Sequence, residues 1–379
     1  MLIHYWCPYL TNIATISSVK RSATFLNKFK NKDKLQVEII NSYGEWSHLF
    51  GNNNGIVIKQ PLTYVNLFNL LPKRKFISKL TLLLISLISF FPLLLKVNKE
   101  KPDYLIIHLL TALPLLLSPF FNKKTKIILR ISGLPKLNFF RKNLWKFFSS
   151  KVYLITTPTE ITKNDLINKK IFKEKKIFLL RDPVIEVSNI NKMKGFALDE
   201  KFLKKESFYL SIGRLTNQKN FEFLIKEFSK ISHKLKVNQL FIIGDGEKKQ
   251  YLQKLIIQNK MEDKIRLLGY KNNPYKYLFN CRALISTSLY EDPGFAIIEA
   301  FYLNKPVISS NAENGPKEMS KIHNIAYFFK TNDSVDFEKN ILSFEKNDSY
   351  QKILNAKKFS KYFSSFSHFL NLSKILNIR

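Results

Sequence analysis

The side chains best suited to chemistry lie in one stretch, residues 288–300, where two carboxylates flank a Pro-Gly pair. Glu291 lies in the predicted turn with Pro293 and Gly294, and Glu299 follows eight positions later. Gly294 allows a tight turn and carries no Cβ that would hinder a docked ligand. The apolar residues after it predict a helix, whose first amides and positive dipole end favour an anion such as a phosphate. The pattern therefore predicts an anion site between two carboxylates that could hold the hydroxyl groups of a sugar and a ribose.

A second loop, residues 213–220, carries two cations between a predicted strand and a predicted helix. Gly213 allows close approach to the backbone. Arg214 can contact a diphosphate as a planar fork, and Lys219 can contact it as a point charge. Basic loop residues are usually only solvated, so this loop alone is also compatible with an ordinary surface. Together with the anion site after Gly294, it predicts a diphosphate clamp with two sides.

The elements that must position these loops are parallel strands. In the second half of the chain, short apolar runs repeatedly end in a loop that contains glycine. The predicted strands are 208–212, 240–243, 265–268, 283–285 and 306–309. In open α/β sheets the ligand binds beyond the carboxyl ends of the strands, so we expect these loops to converge on one crevice.

The first half of the chain also alternates buried strands with helices, which indicates a doubly wound parallel sheet. Its predicted strands are 2–5, 36–40, 55–59, 102–108, 126–130, 151–156 and 176–180. Residues 181–206 are charged and less regular, which is typical of a linker. The predicted fold class is therefore α/β, with two doubly wound Rossmann-like domains facing each other across a cleft. Residues 1–185 form the first domain, 186–354 form the second, and a helix over about 355–379 packs back on the first.

Composition limits the class of protein. The chain has 379 residues, of which 45% are hydrophobic, and this suits two packed domains rather than a disordered chain. Cys7 and Cys281 match no metal or disulfide spacing, and the first residues predict a strand rather than a secretory signal, so we expect a cytoplasmic location. The net charge of +33 attracts anionic partners, although a composition rich in Lys, Asn, Ile and Phe explains it equally well. No nucleic-acid-binding signature accompanies the charge, so nucleic acid is not an expected partner.

Residues 80–95 form an uncharged apolar run between basic segments, which include residues 73–75. A bilayer-spanning helix needs about 20 apolar residues, and Pro92 interrupts this shorter run. A helix lying on an anionic bilayer fits the flanking charges, and a buried helix of a large α/β domain is the alternative. Residues 136–148 are basic and aromatic by turns, which suits a lipid surface, an anionic lipid-linked acceptor or an ordinary surface helix. We therefore expect peripheral association with the inner face of the plasma membrane.

The motifs of the second half occur together in an order that resembles a known family. Over about 110 residues the chain carries Gly213-Arg214, Lys219-Asn220, Gly244-Asp245-Gly246, Gly269-Tyr270, Glu291, Glu299 and Lys305-Pro306-Val307. This combination resembles the C-terminal domain of glycosyltransferase family 4, whose members are retaining nucleotide-sugar transferases of the GT-B fold. The segment Asn314-Gly315-Pro316-Lys317-Glu318 is similar to the family's following Gly/Glu loop.

The resemblance implies catalytic roles for three residues. Arg214 and Lys219 would hold the donor diphosphate and receive the charge that develops on the leaving group. Glu291 would contact the transferred sugar. Glu291 and Glu299 then orient the substrate and are not an acid–base pair of the hydrolase kind.

The resemblance also implies a set of donor-binding residues. They are Gly213, Gly269, Tyr270, Gly294, Phe295 and Glu299. Glu299 would hold the ribose hydroxyl groups, and the amides of Gly294 and Phe295 would face the sugar and the phosphate. The loop at Gly269 and Tyr270 would line the pocket for the base.

The acceptor side departs from the family's pattern. Members often have glycines in the first loop, where this chain has Ala14. Many also have a histidine before the glycine that follows the mid-domain strand, where this chain has Ser132. Ser132, Arg130 or His108 would then serve the acceptor, although His108 is equally well explained as a structural histidine. The implied acceptor-side residues are Asn12, His108 and Ser132.

The implied function is transfer of a sugar from a UDP- or GDP-linked donor to a hydroxyl on a glycan or lipid-linked acceptor. The family resemblance implies retention of the anomeric configuration and a place in cell-surface polysaccharide or lipopolysaccharide synthesis. No Asp-x-Asp motif is present, so neither a metal nor a cofactor is expected. The alternatives are an inactive GT-B-like protein that docks an anionic membrane or polymer, and a sugar-nucleotide epimerase.

Overall fold

The chain divides into two compact units, each with its own sheet and core. The computed structural model describes residues 1–10, 14–28, 35–49, 56–71, 78–135, 137–199, 207–347 and 349–378. One unit comprises Met1–Pro183 with Ser365–Arg379, and the other comprises Val184–Ser364.

The N-terminal unit is built on six parallel strands. Its elements are β1 (Leu2–Trp6), α1 (Ala14–Lys28), β2 (Gln36–Ile40), α2 (Ser78–Ile88), α3 (Phe90–Glu100), β3 (Tyr104–Ile107), α4 (Ala112–Leu117), β4 (Lys126–Arg130), α5 (Phe139–Phe147), β5 (Val152–Thr157), α6 (Glu160–Asn168) and β6 (Ile177–Leu179). The strand order is β2-β1-β3-β4-β5-β6, and every pair is parallel. The chain leaves β1 in one direction and continues from β3 in the other, so the switch point lies between these two strands.

Successive residues of each strand pack alternately in two hydrophobic cores, one on each face of this sheet. Ile106 packs in the core that contains Val19 of α1, whereas its neighbour Leu105 packs in the core that contains Trp145 of α5. Strands covered by helices on both faces are the doubly wound arrangement that the apolar runs predict. The predicted strand over 55–59 forms only an isolated bridge, between Val57 and Glu38, among the residues described there.

The apolar run 80–95 forms two helices rather than one. Helix α2 ends at Ile88, and α3 begins at Phe90 with a bend of 44° between them. Pro92 explains the break, because it has no N–H to donate to the carbonyl of Ile88 and its ring crowds that carbonyl. In the described part of the chain no single helix is long and apolar enough to cross a bilayer, whereas this bent pair reaches that length and apolarity together.

The same two helices keep much of their apolar surface outside the core. Ile85 and Leu93 are buried, but several large side chains are exposed. The exposed ones are Leu80, Leu83, Leu84, Leu87, Phe91 and Leu95. A fully buried pair of helices, one of the two alternatives from the sequence, is therefore not what the structure has.

The C-terminal unit contains a second sheet of six parallel strands. Its elements are α7 (Val187–Met193), β7 (Tyr209–Ile212), α8 (Phe221–Ile231), β8 (Leu240–Ile243), α9 (Lys249–Gln258), β9 (Ile265–Gly269), α10 (Tyr275–Asn280), β10 (Ala283–Ser286), β11 (Tyr290–Glu291), α11 (Phe295–Tyr302), β12 (Val307–Ser310), β13 (Glu313–Asn314), α12 (Gly315–Met319), β14 (Tyr327–Phe329), α13 (Ser334–Lys346) and α14 (Tyr350–Ser360). The strand order is β14-β12-β10-β7-β8-β9. Tyr209 packs with Leu224 of α8, while Leu210 packs with Ile298 of α11 on the other face.

The last helix, α15 (Ser365–Ile375), belongs to the N-terminal unit and packs on α1. His368 of α15 lies 2.8 Å from the Ser22 hydroxyl through Nε2 and 2.7 Å from the Arg181 carbonyl oxygen through Nδ1. These bonds join the last helix to the first helix and to the end of the segment that follows β6.

Candidate functional site

The loops after β7 and β10 meet at the switch point of the C-terminal sheet. β7 and β10 are neighbours, and the chain continues from β7 toward β8 and from β10 toward β12. This is the position at which open α/β sheets bind ligands. The Leu289 amide donates to the Gln218 carbonyl oxygen at 2.8 Å, and the Gln218 side-chain amide donates to the Tyr290 carbonyl oxygen at 2.8 Å. The two loops that are predicted to form a diphosphate clamp therefore lie side by side.

Lys219 and Glu291 form an ion pair between these loops, from Nζ to Oε1. The Ser288 hydroxyl donates to the same Oε1 at 2.7 Å. The Glu291 side chain is 12% exposed and that of Lys219 is 19% exposed, so both charges are held largely away from water. Arg214, from the same loop as Lys219, is exposed, and its guanidinium has no partner among the described residues. The site thus offers one cation held by a carboxylate and one that is available.

The Lys219 side chain runs directly over Gly213, where a larger residue would block it. A Cβ at Gly213 would lie 2.7 Å from Cε and 2.9 Å from Cδ of Lys219. The sequence predicts close approach to the backbone here, and the group that approaches is this lysine. Gly244, with φ +149°, comes still closer from the loop after β8, since a Cβ on it would lie 1.8 Å from the Gly213 carbonyl oxygen. Gly213 is therefore required by a contact within its own loop, and Gly244 by a contact between two loops.

Glu291 lies in a short strand rather than in the predicted Pro-Gly turn. β11 pairs in parallel with β13, which places Glu291 opposite Asn314. Gly315 follows at once, and a Cβ there would lie 1.9 Å from the Pro293 carbonyl oxygen. The Asn314-Gly315 loop, whose role the sequence left open, therefore supports the backbone on which Glu291 is carried. Two-residue strands have no periodicity, so only Gly315 gave a signal in the sequence.

Helix α11 begins where the anion site was predicted. Gly294 stands at its N-cap with φ 104°. The first amide that bonds within the helix is that of Ile298, which donates to the Gly294 carbonyl oxygen at 3.2 Å. The amides of residues 295–297 therefore have no acceptor in the helix, and the positive end of the helix dipole lies beside them. This end of α11 directly follows Glu291 and suits a phosphate group.

The residues predicted to face the ribose and the base lie on α11 and at the end of β9. The Tyr275 hydroxyl of α10 donates to Oε1 of Glu299 at 3.1 Å, so the carboxylate is held by a second side chain. Gly269 has φ +71°, and its carbonyl oxygen accepts the Gly244 amide at 2.9 Å. Tyr270 is exposed at the end of β9. Tyr275 was not among the site residues predicted from the sequence.

The predicted acceptor-side residues belong to the N-terminal unit. Asn12 lies outside the described residues. His108 and Ser132 line one cavity of about 270 Å³ beyond the carboxyl ends of β3 and β4. Arg141 and Trp145 line the same cavity from α5. The structure therefore brings His108 and Ser132 together next to the switch point of the first sheet.

Arg130 forms a buried ion pair with Asp182. Its guanidinium donates to the Leu180 carbonyl oxygen at 2.6 Å and to Oδ1 of Asp182 at 2.7 Å. The Ser18 hydroxyl donates to the same Asp182 oxygen at 2.6 Å. Burial lowers the pKa of His108 to about 3, and the charge of Arg130 acts in the same direction. His108 is therefore a neutral imidazole at neutral pH.

One group of metal-ligand residue types was not predicted from the sequence. His4, Glu38 and Glu100 each place a ligand atom within 4.8 Å of the others. Lys96 contacts Glu38 at 2.6 Å, and Lys59 contacts Glu100 at 2.8 Å. Two ammonium groups already neutralise the carboxylates, so a cation would have to displace them. We interpret the group as a buried ion-pair network of the N-terminal unit.

Part of the chain, within the C-terminal unit, matches a known family model. Residues 196–361 match the family model described as glycosyl transferases group 1. An uncharacterized glycosyltransferase of Methanocaldococcus jannaschii is 32% identical over 246 residues, which are 60% of each chain. The N-acetylgalactosamine-N,N'-diacetylbacillosaminyl-diphospho-undecaprenol 4-alpha-N-acetylgalactosaminyltransferase of Campylobacter jejuni is 30% identical over 212 residues, 54% of this chain and 56% of that protein. The chain thus spans little more than half the length of these curated relatives.

Two solved structures resemble the whole chain. The HepE protein of Anabaena, crystallised in complex with UDP, is 14% identical with a TM-score of 0.72 over 100% of both chains. A glycosyltransferase from Rickettsia africae is 17% identical with a TM-score of 0.73 over 99% of this chain and 97% of that one. These likenesses confirm the predicted fold class, an α/β protein of the GT-B type.

Proposed function

We propose that this chain, whose residues 196–361 match the family model of glycosyl transferases group 1, transfers a sugar from a nucleotide-diphosphate donor to an acceptor hydroxyl. The observation that carries the proposal is the ion pair of Lys219 and Glu291 beside the N-terminus of α11. It combines a cation, a carboxylate and unbonded amides at the switch point of the C-terminal sheet.

The donor diphosphate binds between Lys219, Arg214 and the first amides of α11. A diphosphate carries more negative charge than one carboxylate, so it competes with Glu291 for the Lys219 ammonium. When the bond to the sugar breaks, negative charge develops on the leaving diphosphate. These prearranged hydrogen-bond donors stabilise that charge. Glu291, released from the lysine, is then free to accept hydrogen bonds from the sugar hydroxyl groups.

The nucleoside extends toward Glu299 and Tyr270. Glu299 accepts hydrogen bonds from the ribose hydroxyl groups, while the Tyr275 hydroxyl donates to Oε1 of the same carboxylate. Tyr270 and Gly269 border the base, which is uracil or guanine. The UDP bound in the structurally similar HepE protein supports a nucleotide of this class.

The reaction is proposed to be retaining and independent of a metal ion, as in glycosyltransferase family 4. Both carboxylates are oriented by contacts within the protein, since Glu291 is paired with Lys219 and Glu299 accepts a hydrogen bond from Tyr275. Charge on the leaving group is met by Lys219 and Arg214. These features favour binding and orientation as the role of both carboxylates.

The acceptor is a glycan or a lipid-linked molecule that enters the cavity lined by His108 and Ser132. His108, neutral at neutral pH, can exchange a hydrogen bond with the acceptor hydroxyl. The name of the Campylobacter relative, an undecaprenol-diphosphate-linked sugar transferase, supports a lipid-linked acceptor. We place the reaction in the synthesis of cell-surface polysaccharide or lipopolysaccharide.

The protein is proposed to associate peripherally with the inner face of the plasma membrane. The exposed leucines of α2 and α3 form an apolar surface, and the net charge of +33 attracts anionic headgroups. The basic residues 73–75, outside the described part of the chain, directly precede this surface in sequence.

Donor binding is tested by thermal shift of the purified chain with UDP, GDP and their sugars. A nucleotide that binds only the folded protein raises the melting temperature, and Lys219→Ala or Arg214→Ala reduces that rise. Lys230→Ala is the control, because the Lys230 side chain is 63% exposed near the end of α8, outside the loop of residues 213–220, where it pairs with Glu227. The proposal fails if no nucleotide sugar is hydrolysed or transferred and Arg214→Ala leaves nucleotide binding unchanged. Conversion of the donor without any acceptor would instead indicate an epimerase.

Membrane association is tested by sedimentation with vesicles that contain anionic lipid at low salt. Neutral substitutions at residues 73–75 are expected to weaken binding, and added salt is expected to weaken it further. The control replaces three exposed lysines of the C-terminal unit, Lys234, Lys249 and Lys254. Equal loss in both variants would mean that net charge alone, and not this segment, binds the membrane.

A further inference from the structure

Helices α4 and α5 border an open apolar groove of about 770 Å³, here called the α4–α5 groove. Leu116 of α4 and Phe140, Leu144 and Phe147 of α5 line it. Phe140 is 81% exposed and Phe147 is 78% exposed. Large apolar side chains grouped in one exposed patch mark a binding surface, and the volume is within the range of small-molecule sites.

The adjacent face of α5 borders the cavity that contains His108 and Ser132. Arg141 and Trp145, one helical turn apart, both line this cavity. Trp145 is 2% exposed, and its indole N–H has no hydrogen-bond acceptor among the described residues. A buried N–H without an acceptor is costly, so this group indicates a ligand oxygen.

The charge of α5 defines the kind of ligand. The helix contains Arg141, Lys142 and Lys146 and no acidic residue. The Arg141 guanidinium has no ion-pair partner in the described part of the chain. An available guanidinium beside an unbonded N–H is the donor set that a phosphate group accepts best.

We propose that α5 binds an amphiphilic acceptor, a lipid phosphate or diphosphate, with its anionic group beside Arg141 and Trp145 and its hydrocarbon chain in the α4–α5 groove. The inference rests on the proposed function, which brings the acceptor hydroxyl to this cavity. Both ends of such a molecule are recognised by adjacent faces of one helix. A glycan without a lipid would leave the groove empty, and contact with a bilayer alone would leave the Trp145 N–H without an acceptor.

The test uses butyl, octyl and dodecyl phosphate, each below its micelle concentration, titrated calorimetrically into the full chain. Affinity is expected to rise with chain length by roughly twofold per methylene, about half of the full-burial effect because the groove is open on one side. The double variant Phe140→Ser with Phe147→Ser is expected to abolish this rise. Because both side chains are exposed, the substitutions leave the fold intact.

Two further variants separate the groove from other contacts. Phe91→Ser with Leu95→Ser removes equally apolar side chains, each 68% exposed, from α3 outside the groove and is expected to keep the chain-length dependence. Arg141→Gln is expected to weaken binding of all three phosphates by a common factor of about ten and to leave the dependence on chain length unchanged. The inference is overturned if the groove variant retains the wild-type dependence, or if the wild type shows none.

The outcome also distinguishes this inference from the proposed function. Thermal stabilisation by nucleotides reports on the C-terminal unit and is expected to be the same in the groove variant as in the wild type. If nucleotide sugars bind and react while alkyl phosphates show no chain-length dependence, only the groove assignment is wrong. If the dependence is present and no nucleotide binds, the groove stands and the transferase proposal is wrong. If the groove variant loses vesicle binding but keeps the chain-length dependence, the groove is a bilayer contact and the inference is overturned.

Discussion

The Lys219 ammonium is held by the Glu291 carboxylate across two loops, with the Ser288 hydroxyl bonded to the same carboxylate oxygen. We predict that Glu291→Gln frees Lys219 and tightens UDP binding by about threefold, while it lowers the rate of sugar transfer by about a hundredfold. Lys219→Ala is expected to weaken UDP binding instead, by about tenfold. Calorimetric titration and single-turnover transfer measure the two effects. If both variants weaken UDP binding alike, the pair does not compete with the diphosphate.

The contrast between Gly213 and Gly244 gives a second prediction. Gly213→Ala would place a methyl group 2.7 Å from the flexible end of Lys219, so the lysine moves and UDP affinity falls about fivefold with little change in the free energy of unfolding. Gly244→Ala would place it 1.8 Å from a backbone oxygen at φ +149°, so the free energy of unfolding is expected to fall by about 3 kcal/mol or more. Urea unfolding and UDP titration of both variants check this. If both variants lost the same free energy of unfolding, the Lys219 side chain would not be moving aside to accommodate the methyl group at residue 213.

Much of this site was predictable because strand ends leave a strong signal in sequence. Apolar runs followed by glycine predict β7, β8, β9 and β10, and parallel strands bring their loops to one edge of the sheet. That rule is enough to predict that residues 213–220 lie near residues 288–291. The ion pair between Lys219 and Glu291 could not be predicted from that rule, because the sequence does not show which cation pairs with a given carboxylate.

Other features depend on contacts that no local pattern encodes. The pairing of β11 with β13 involves two residues on each side, too few for any alternation to appear. The helical break at Ser89 needed only Pro92 as a signal, but the outward direction of the leucines depends on what packs against α2 and α3. The unbonded N–H of Trp145 exists only in the packed structure, since a sequence shows the tryptophan and not its surroundings.

Tyr275 provides a third prediction, on the nucleoside side of the site. Its hydroxyl donates to Oε1 of Glu299 at 3.1 Å, so it fixes the orientation of the carboxylate. Tyr275→Phe is expected to lower UDP affinity by about threefold to tenfold, in line with the loss of one hydrogen bond to a charged group. Affinity for 2',3'-dideoxy-UDP is expected to change little, because that analogue has no hydroxyl groups for Glu299 to bind. Equal losses for both nucleotides would assign Tyr275 to packing rather than to ribose recognition.

His368 gives a prediction about pH. Nδ1 must donate to the Arg181 carbonyl oxygen, so Nε2 accepts from the Ser22 hydroxyl, and the ring is held neutral. Burial, together with the charge of Arg130, lowers the pKa of His368 from its ordinary value of 6.5 to about 4. The unfolded chain therefore binds a proton between about pH 6.5 and pH 4 that the folded chain does not. Stability from this group is complete above pH 6.5 and is lost as the pH falls through that window.

We expect His368→Gln to remove this part of the acid sensitivity, about 3 kcal/mol of the free energy of unfolding between pH 7 and pH 4. His108, with its pKa also lowered, acts in the same direction, whereas Glu45, whose pKa burial raises to about 7, makes the folded state less stable as the pH rises. The measurement must therefore be the difference between variant and wild type in urea unfolding at each pH. His323→Gln, at an exposed histidine, is the control and is expected to follow the wild-type curve. A His368→Gln curve parallel to that of the wild type from pH 7 to pH 4 would mean that the buried ring takes up its proton in the folded chain as readily as in the unfolded one.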